Sequence, residues 1–278
     1  MLSLSSISMH IDEPREVNRE VASAAPTALF LFAHQDDEFG VFQQIIEERR
    51  RGRRVLCIYL TSGVPASGDP ARRNAESRAV LHELGVAPAD ICFAGQLLAI
   101  PDGALQEHIA PAAAWLAAQA AGWHHLAAVY LMAWEGGHPD HDVLHAIGVQ
   151  LFGGRSEQTQ LRQFALYNGN RCPWLFFRVL SPLSANGAVQ ASPIPWSSRL
   201  RFLGLCLRYP SQRVTWIGLL PFVLLHYLFN GCQALQPVVA GRVLERPHAG
   251  MLYYEKRGFS TWQTVQARLA QWRASLAR

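Results

Sequence analysis

Lysine is nearly absent from this 278-residue chain, and acidic side chains are scarce in its second half. Lys256 is the only lysine. Residues 1–154 carry 10 basic and 18 acidic side chains, a net charge of −8, whereas residues 155–278 carry 15 basic and only 3 acidic ones, a net charge of +12. The basic half favours an anionic partner such as phosphate, acidic lipid or nucleic acid. A plain preference for arginine over lysine is the alternative explanation.

Cysteine is also sparse, with five residues, an odd number, and no CxxC pair. This usage argues against a disulfide framework and a cysteine-based zinc site, and it is typical of a reducing cytoplasm. The first 25 residues mix acidic and basic side chains and contain no apolar stretch of the kind that a signal peptide needs. We therefore expect residues 1–26 to form a polar N-terminal arm and the protein to be cytoplasmic.

A long apolar run is missing as well, although residues 214–241 contain no charged side chain in 28 positions. The densest part, Trp216–Phe229, has only 14 residues and includes a glycine, a proline and a histidine. A spanning helix needs about 20 predominantly apolar residues. A core or interfacial segment therefore fits better than a membrane-inserted one. The arginines before this run favour peripheral contact with an anionic membrane.

What the sequence does contain is a regular alternation of short apolar runs and helical patterns. Continuous apolar runs suit strands that are buried on both faces, as in parallel sheets. The predicted strands of the first half are Ala28–Ala33, Val55–Leu60, Ile91–Phe93 and Ala127–Ala133, with helices at Arg72–Leu84, Ala104–Ala121 and Pro139–Phe152. The pattern predicts an α/β fold: a Rossmann-like, doubly wound, mostly parallel sheet with helices on both faces.

The second half is less regular. We expect strands at Phe164–Tyr167 and Met251–Glu255 and a closing amphipathic helix from about Thr261. Residues 27–278 would form one α/β domain with an irregular apolar C-terminal extension. In that domain, residues 155–250 would be a basic, apolar insertion that faces substrate or membrane.

Two polar clusters directly follow predicted strands, at the edge where such folds bind ligands. The first is HQDDE at residues 34–38, and the second is HPDH at residues 138–141. Residues three apart share a helix face, so each cluster can point two side chains at one ion. Two histidines, one carboxylate and an open position suit a catalytic zinc, and a spare carboxylate could deprotonate its water. Two ordinary polar turns are the alternative.

These motifs resemble those of a known family. Ala33-His34-Gln35-Asp36-Asp37-Glu38 resembles the AHPDDE motif of the LmbE-like (PIG-L) zinc-dependent de-N-acetylases, and the second cluster resembles the second metal motif of that family. Arg73-x-x-Glu76 with Leu84-Gly85 is similar to the helix between the two motifs. Tyr209-x-Ser211-Gln212 is similar to an element of some members. The resemblance covers about residues 27–150.

The resemblance implies a ligand set for one zinc ion per chain, or for another divalent metal. His34, Asp37 and His141 would hold the metal. Asp36 would be the general base that activates a water. His138 would stabilise the oxyanion or protonate the leaving amine.

Two further residues receive roles by the same resemblance. Asp140 would orient a histidine from behind. Arg73 would bind substrate, unless it forms a helix-face ion pair with Glu76. Gln35 stands where the family usually has proline, which could change the loop or the substrate edge but not the ligands.

The implied reaction is removal of the acetyl group from an N-acetylated amino sugar, with release of acetate. The basic, aromatic second half would form a wall of the site for a lipid-linked or phosphate-linked sugar, and no nucleic acid is expected. An amidase that acts on a non-sugar amide is one alternative. A non-catalytic, metal-containing sugar-binding module is another, although a spare base would serve no purpose in it.

Overall fold

The computed structural model describes residues 25–155 and 158–277. The predicted arm at residues 1–26 lies outside these ranges except for its last two residues. The strands in the described ranges are β1 (Thr27–Phe32), β2 (Arg54–Tyr59), β3 (Ile91–Phe93), β4 (Leu126–Met132), β5 (Gln160–Phe164), β6 (Tyr167–Asn168), β7 (Arg178–Val179), β8 (Gln190–Pro193) and β9 (Cys232–Pro237).

The α-helices are α1 (Phe42–Arg50), α2 (Ala71–Glu83), α3 (Ala94–Leu97), α4 (Ile109–Ala120), α5 (Pro139–Phe152), α6 (Trp196–Cys206), α7 (Arg213–Leu225), α8 (Tyr253–Lys256) and α9 (Trp262–Leu276). A 3₁₀ turn at Asp37–Val41 precedes α1, and a π-helical turn, His226–Asn230, follows α7. In the part of the chain that the structure describes, no helix is long and apolar enough to span a membrane.

A seven-stranded sheet forms the centre of the molecule, in the order β3-β2-β1-β4-β5-β9-β8. The first five strands of that order are parallel, and β1 and β4 are almost entirely buried. From β1 the chain adds β2 and β3 on one side through α1 and α2, and later adds β4 and β5 on the other side through α4 and α5. Because crossovers between parallel strands are right-handed, the two sets of helices cover opposite faces. The predicted fold class is confirmed.

Two strands of the second half extend the same sheet. β9 pairs antiparallel with β5, and β8 pairs antiparallel with β9. The uncharged stretch at residues 214–241 therefore contributes a helix, a π turn and an inner strand of the sheet. This continuity supports our proposal of a single domain over residues 27–278.

The strand predicted at Met251–Glu255 is wrong, because the short helix α8 begins at Tyr253 and Leu252 is its N-cap. Its adjacent tyrosines are residues that favour strands. The carboxylate of Glu255, however, accepts hydrogen bonds from the backbone N–H groups of Leu252 and Trp262, at 2.8 and 3.0 Å. The bond from Leu252 closes the first turn of α8, and the bond from Trp262 connects that turn to the start of α9, so these local contacts outweigh the strand preference.

Two other boundaries differ from the prediction. The helix predicted at Ala104–Ala121 is divided, because a 3₁₀ turn at Leu105–Glu107 comes before α4. Pro111 lies in the first turn of α4. Backbone N–H groups there have no acceptor within the helix, so a proline, which lacks this group, breaks no hydrogen bond. The strand predicted at Phe164–Tyr167 is displaced. β5 runs from Gln160 to Phe164, and Tyr167 belongs to the separate short strand β6. The helix predicted at Pro139–Phe152 is confirmed with the same bounds.

Gly95 in α3 marks a close approach that supports the end of β1. A Cβ atom at this position would overlap with the backbone of Thr61. Thr61 in turn donates its backbone N–H and its hydroxyl to the carbonyl of Ala33, at 3.0 and 2.7 Å. Ala33 directly precedes the first polar cluster, so α3 helps to fix that cluster.

Replacing Gly95 by alanine should therefore destabilise the protein. We expect the free energy of unfolding to fall by about 2 kcal/mol or more, because a clash with backbone cannot be relieved by moving a side chain aside. Gly204→Ala in α6 is the control, since its Cβ would meet nothing within 4 Å. This control should leave stability unchanged or raise it by up to about 1 kcal/mol. Equal urea midpoints for the two variants would contradict the proposed close approach.

Candidate active site

The two polar clusters meet at one edge of the sheet. β1 ends at Phe32 and β4 ends at Met132, and these strands are direct neighbours in the sheet. The first cluster enters the 3₁₀ turn at Asp37–Val41, and the second begins α5 with His138 as its N-cap. Side chains that are distant in the sequence therefore lie in contact.

Three of these side chains present nitrogen or oxygen atoms to one common point. His34 Nδ1 lies 3.3 Å from His141 Nε2. One carboxylate oxygen of Asp37, Oδ2, lies 3.4 Å from His34 Nδ1, and the other, Oδ1, lies 3.4 Å from His141 Nε2. A zinc ion bonded tetrahedrally at about 2.0–2.1 Å requires ligand atoms about 3.3–3.4 Å apart. The donor set and its spacing therefore fit a divalent metal.

His138 offers a second combination of donors, with His34 and His141. Its Nδ1, however, accepts the backbone N–H of Asp140 at 3.3 Å, which leaves only Nε2 for another partner. That Nε2 atom lies 3.9 Å from a carboxylate oxygen of Asp102. We prefer the set that includes Asp37, because donor atoms of each of its three residue pairs approach to 3.3–3.4 Å.

Asp36 stands beside this set in an unusual backbone conformation. Its φ of 101° is in the left-handed region, which costs a non-glycine residue energy and often marks a functional position. Burial raises the pKa of its carboxyl to about 8, against the opposing charge of Arg73. For Asp37 burial acts in the same direction, but the charges of His141 and His34 outweigh it and hold its pKa well below the ordinary value.

Arg73 extends from α2 into the site. Its guanidinium donates to the carbonyls of Gln35 and Gly63, the former at 2.6 Å, and lies 3.4 Å from the carboxylate of Asp36. The alternative ion pair between Arg73 and Glu76 does not form. Glu76 pairs instead with Arg72, at 3.2 Å.

Two carboxylates contact His34 at Nε2, the ring nitrogen that does not face Asp37 and His141. Asp140 and Asp102 lie 3.0 and 3.1 Å from His34 Nε2. Asp140 is fully buried and also accepts the backbone N–H groups of Gly103 and Leu105, at 2.7 and 3.0 Å. Burial alone would lower the pKa of His34, but the charges of the surrounding aspartates raise it well above the ordinary value. The two carboxylates thus orient this ring.

Asp102 has no signal in the sequence, although it lines the cavity and contacts His34. Its neighbours in the chain are Pro101 and Gly103, so the local sequence is that of an ordinary surface turn. Only the packing of this turn against α5 brings Asp102 to the site. It is therefore a site residue that sequence reasoning does not find.

His138 faces the cavity as a neutral ring. Burial, and then the charge of His34, lower the pKa of His138 to about 4. Because Nδ1 accepts the N–H of Asp140, the proton of the neutral ring resides on Nε2. The cavity therefore receives a hydrogen-bond donor at this point.

Gln35 is turned away from the cavity and is completely buried. Its side-chain amide donates to Asn74 at 2.6 Å, and Asn74 donates to Gln96 at 2.6 Å. This relay links the first cluster to α2 and α3. Gln35 therefore shapes the loop and does not form a substrate edge.

The Tyr209-x-Ser211-Gln212 segment is tied to the first half by two carboxylates. The hydroxyl of Tyr209 donates to Glu38 at 2.8 Å, and Glu38 accepts the backbone N–H of Asp36 at 3.0 Å. Ser211 donates its backbone N–H to Glu76 at 3.0 Å and its hydroxyl to the same carboxylate. The start of α7 is thereby fixed over the polar clusters.

A cavity of about 310 Å³ lies between the clusters and α7. Its charged and polar lining includes His34, Asp36, Asp37, Arg73, Asp102, His138 and Arg257, and its apolar and aromatic lining includes Tyr167, Phe177, Val214, Gly218, Leu219, Tyr253 and Phe259. The second half of the chain therefore supplies an apolar and aromatic wall, as its composition predicts.

Glu135 is a fully buried carboxyl behind this wall. It accepts the backbone N–H groups of Leu166 and Tyr167 at 2.7 and 3.1 Å and the amide of Asn168 at 3.1 Å. Burial nevertheless raises its pKa to about 8. This carboxyl connects the loop after β4 with the strand β6.

Glu135 should make stability depend on pH. Between its ordinary pKa of 4.5 and about 8, the folded protein keeps the proton and the unfolded chain loses it, so stability falls as the pH rises. Relative to Glu135→Gln, the wild-type free energy of unfolding should fall by up to about 1.4 kcal/mol per pH unit in this window. Urea unfolding at pH values from about 5 to about 8 measures this slope. A difference that stays constant with pH would refute the raised pKa.

Comparison with known proteins agrees with this geometry. The model of the PIG-L family, described as GlcNAc-PI de-N-acetylase, matches residues 29–152. No curated protein matches the chain. The zinc-inhibited form of a teicoplanin deacetylase is 17% identical with a TM-score of 0.59, and the match covers 77% of this chain and 98% of that one.

Two further structures share the fold. The pseudoaglycone deacetylase of the antimicrobial reagent A40926 is 17% identical, with a TM-score of 0.57 over 81% of this chain and 99% of that one. A conserved protein from Thermus thermophilus is 19% identical, with a TM-score of 0.52 over 77% of this chain and 94% of that one. At such identities the likeness shows the fold alone. The predicted resemblance is confirmed over the part of the chain that contains both motifs: residues 29–152 match the model of the PIG-L family.

Proposed function

We propose that this protein is a zinc-dependent N-deacetylase that removes the acetyl group from an N-acetylated amino sugar. One observation carries the proposal: donor atoms of His34, Asp37 and His141 approach one another to 3.3–3.4 Å, with the separate carboxylate of Asp36 beside them in a cavity. A structural metal site needs no such additional carboxylate, whereas hydrolysis of an amide needs a base.

His34, Asp37 and His141 are the proposed metal ligands. When bound there, zinc supplies Lewis acidity toward the acetyl carbonyl and makes a neighbouring water more acidic. Asp102 and Asp140 keep the ring of His34 in the orientation in which Nδ1 faces the other two ligands. The free cysteines agree with our proposal that the enzyme works in the cytoplasm.

Asp36 is the proposed proton acceptor. In its ionised form, which the positive charge of a metal held beside it would favour, it takes a proton from the attacking water as the oxygen bonds to the acetyl carbon, and its raised pKa makes it a stronger acceptor. Its left-handed backbone and the contact with Arg73 aim the carboxylate at the cavity. The proton then passes to the amide nitrogen as the carbon–nitrogen bond breaks, and acetate and a free amine result.

His138 is the proposed stabiliser of the carbonyl oxygen. The proton on Nε2 can donate a hydrogen bond to this oxygen as negative charge develops on it. A pKa of about 4 keeps the ring neutral at physiological pH, which favours this role over protonation of the amine.

The substrate assignment is supported by polar residues that line the cavity and by similar proteins of known structure. Arg73, Asp102 and Arg257 line the cavity and offer donors and an acceptor for sugar hydroxyls. The neighbours include deacetylases of the teicoplanin pathway and of A40926. Release of acetate from a panel of N-acetylated sugars and non-sugar amides distinguishes the proposed activity from an amidase. A protein that binds metal and sugar but releases no acetate would be the non-catalytic module.

The ligand assignment predicts metal content. Purified protein should hold about one divalent ion per chain, and His34→Ala, Asp37→Ala and His141→Ala should each lose it, because two remaining ligands bind metal weakly. His82→Ala on the exposed side of α2 is the matched control and should keep the ion. Elemental analysis gives the content, and metal-dependent thermal stabilisation is a readout independent of activity. Full metal content in all three ligand variants would rule out the site.

The base assignment predicts a separation of metal binding from rate. Asp36→Asn should keep the metal and the backbone conformation, since asparagine tolerates the left-handed region. Turnover should fall by about a hundredfold or more, the usual scale of a positioned general base. Metal content and kcat are measured on the same sample. Near-wild-type turnover, or loss of the metal, would show that the roles of Asp36 and Asp37 are assigned wrongly.

A further inference from the structure

The helix α7 buries only one of its apolar faces. Trp216, Leu219 and Val223 are buried against the body of the protein. The opposite side is equally apolar but lies open to solvent. A surface helix ordinarily carries polar side chains there, and a helix that is apolar all round is ordinarily covered on all sides. This exposed side therefore lacks the partner that its composition calls for.

We call this exposed side the α7 face, and it consists of Val214, Ile217, Pro221, Leu224, Leu225 and Leu228. Val214 is 79% exposed and Ile217 is 75% exposed. The spacing of three and four residues places these side chains in one continuous stripe along the helix and its π turn. The stripe is about 20 Å long at about 1.5 Å per residue.

A second exposed segment lies beside α7. We call Trp174, Leu175 and Phe176 the aromatic loop, in which Trp174 is 86% exposed. The next residue, Phe177, anchors the loop, because its ring centre lies 5.0 Å from that of Phe222 in α7. The aromatic loop and the α7 face therefore belong to the same side of the molecule.

The segment of the sequence that forms this surface carries charges of one sign. No aspartate or glutamate occurs in the sequence between residues 158 and 244, whereas eight arginines do. Arg208 and Arg201 are used internally, since they contact the carboxylate and the carbonyl of Glu83. By contrast, Arg171, Arg178 and Arg213 are exposed, and none of the ion pairs among the described residues includes them.

An anionic lipid surface matches both properties. It accepts apolar side chains at the boundary of its acyl chains and attracts arginines to its head groups, and exposed tryptophan favours the same boundary. A symmetric dimer would bring the same surface of two copies together and would oppose like charges. The charge therefore favours lipid over a second copy of this chain.

We propose that the α7 face and the aromatic loop dock this protein peripherally on an anionic bilayer. Val214 and Gly218 occupy exposed positions of α7 and also line the cavity. Docking would therefore bring the cavity mouth next to the head groups. The inference concerns binding and holds whether or not the proposed reaction is correct.

Co-sedimentation with vesicles tests the proposal on the full chain. Vesicles of phosphatidylglycerol and phosphatidylcholine in equal amounts should bind the wild type at low salt, and vesicles of phosphatidylcholine alone should bind it much less. Raising the salt from about 50 to about 500 mM should weaken binding, because it screens the arginines. Wild-type protein that stays in the supernatant with anionic vesicles at low salt would overturn the proposal.

An apolar surface variant localises the contact. Ile217→Ser/Leu224→Ser/Leu228→Ser should weaken vesicle binding at least about tenfold, because it removes apolar area from the α7 face. Leu97→Ser/Leu276→Ser is the matched control, since both leucines are exposed elsewhere on the molecule. The control should bind vesicles like the wild type.

A charge variant tests the contribution of the exposed arginines separately. Arg171→Gln/Arg178→Gln/Arg213→Gln should weaken vesicle binding about a hundredfold, since each arginine near an anionic leaflet contributes about 1 kcal/mol. Arg50→Gln/Arg78→Gln/Arg268→Gln removes the same charge from exposed positions on other helices and should bind like the wild type. Controls that lose as much binding as the surface variants would overturn the proposal, because the attraction would then not be confined to this surface.

The oligomeric state distinguishes lipid from a second copy of the chain. Light scattering during gel filtration should give a monomer for the wild type and for the serine variant of the α7 face. A wild-type dimer that the serine variant dissociates would assign the α7 face to a second copy and would overturn the proposal.

Discussion

The parallel pairing of β1 with β4 is the constraint on which the site depends. Each strand is followed by a polar cluster at its carboxyl end, and the pairing places the two ends side by side. The donor atoms of His34, Asp37 and His141 then lie at the spacing that one metal needs, although no local segment contains all three. The apolar strands supply the hydrophobic energy that keeps charged side chains at the end of a buried sheet.

A set of buried carboxylates couples this edge to the second half of the chain. Glu38 and Glu76 each receive hydrogen bonds from the segment just before α7, and Asp140 fixes a ring from behind. Burial raises the pKa of Glu38 and opposes its ionisation. These carboxylates are costly to bury, and their hydrogen bonds hold a helix that is far away in the sequence over the site.

The sequence predicts the strands and helices whose formation depends on the local pattern of side chains. Buried strands and the helix that begins at Pro139 follow from apolar runs and from a proline suited to a first helical turn. Met251–Glu255 departs from its pattern because one carboxylate, that of Glu255, closes a turn against the strand preference of its neighbours. The position of Asp102 and the one-sided burial of α7 are not predictable in this way, since both depend on which surfaces meet when the sheet is complete.

The opposite charges of the two halves have a further consequence for motion. In the sheet, β5, β9 and β8 of the basic half lie together at one end, and β3, β2, β1 and β4 of the acidic half lie at the other. An unequal distribution of charge along the sheet gives a molecule an electric dipole, which its net charge of +4 does not describe. In the field of a charged surface a dipole experiences a torque, so the molecule would rotate before it arrives and present one end first.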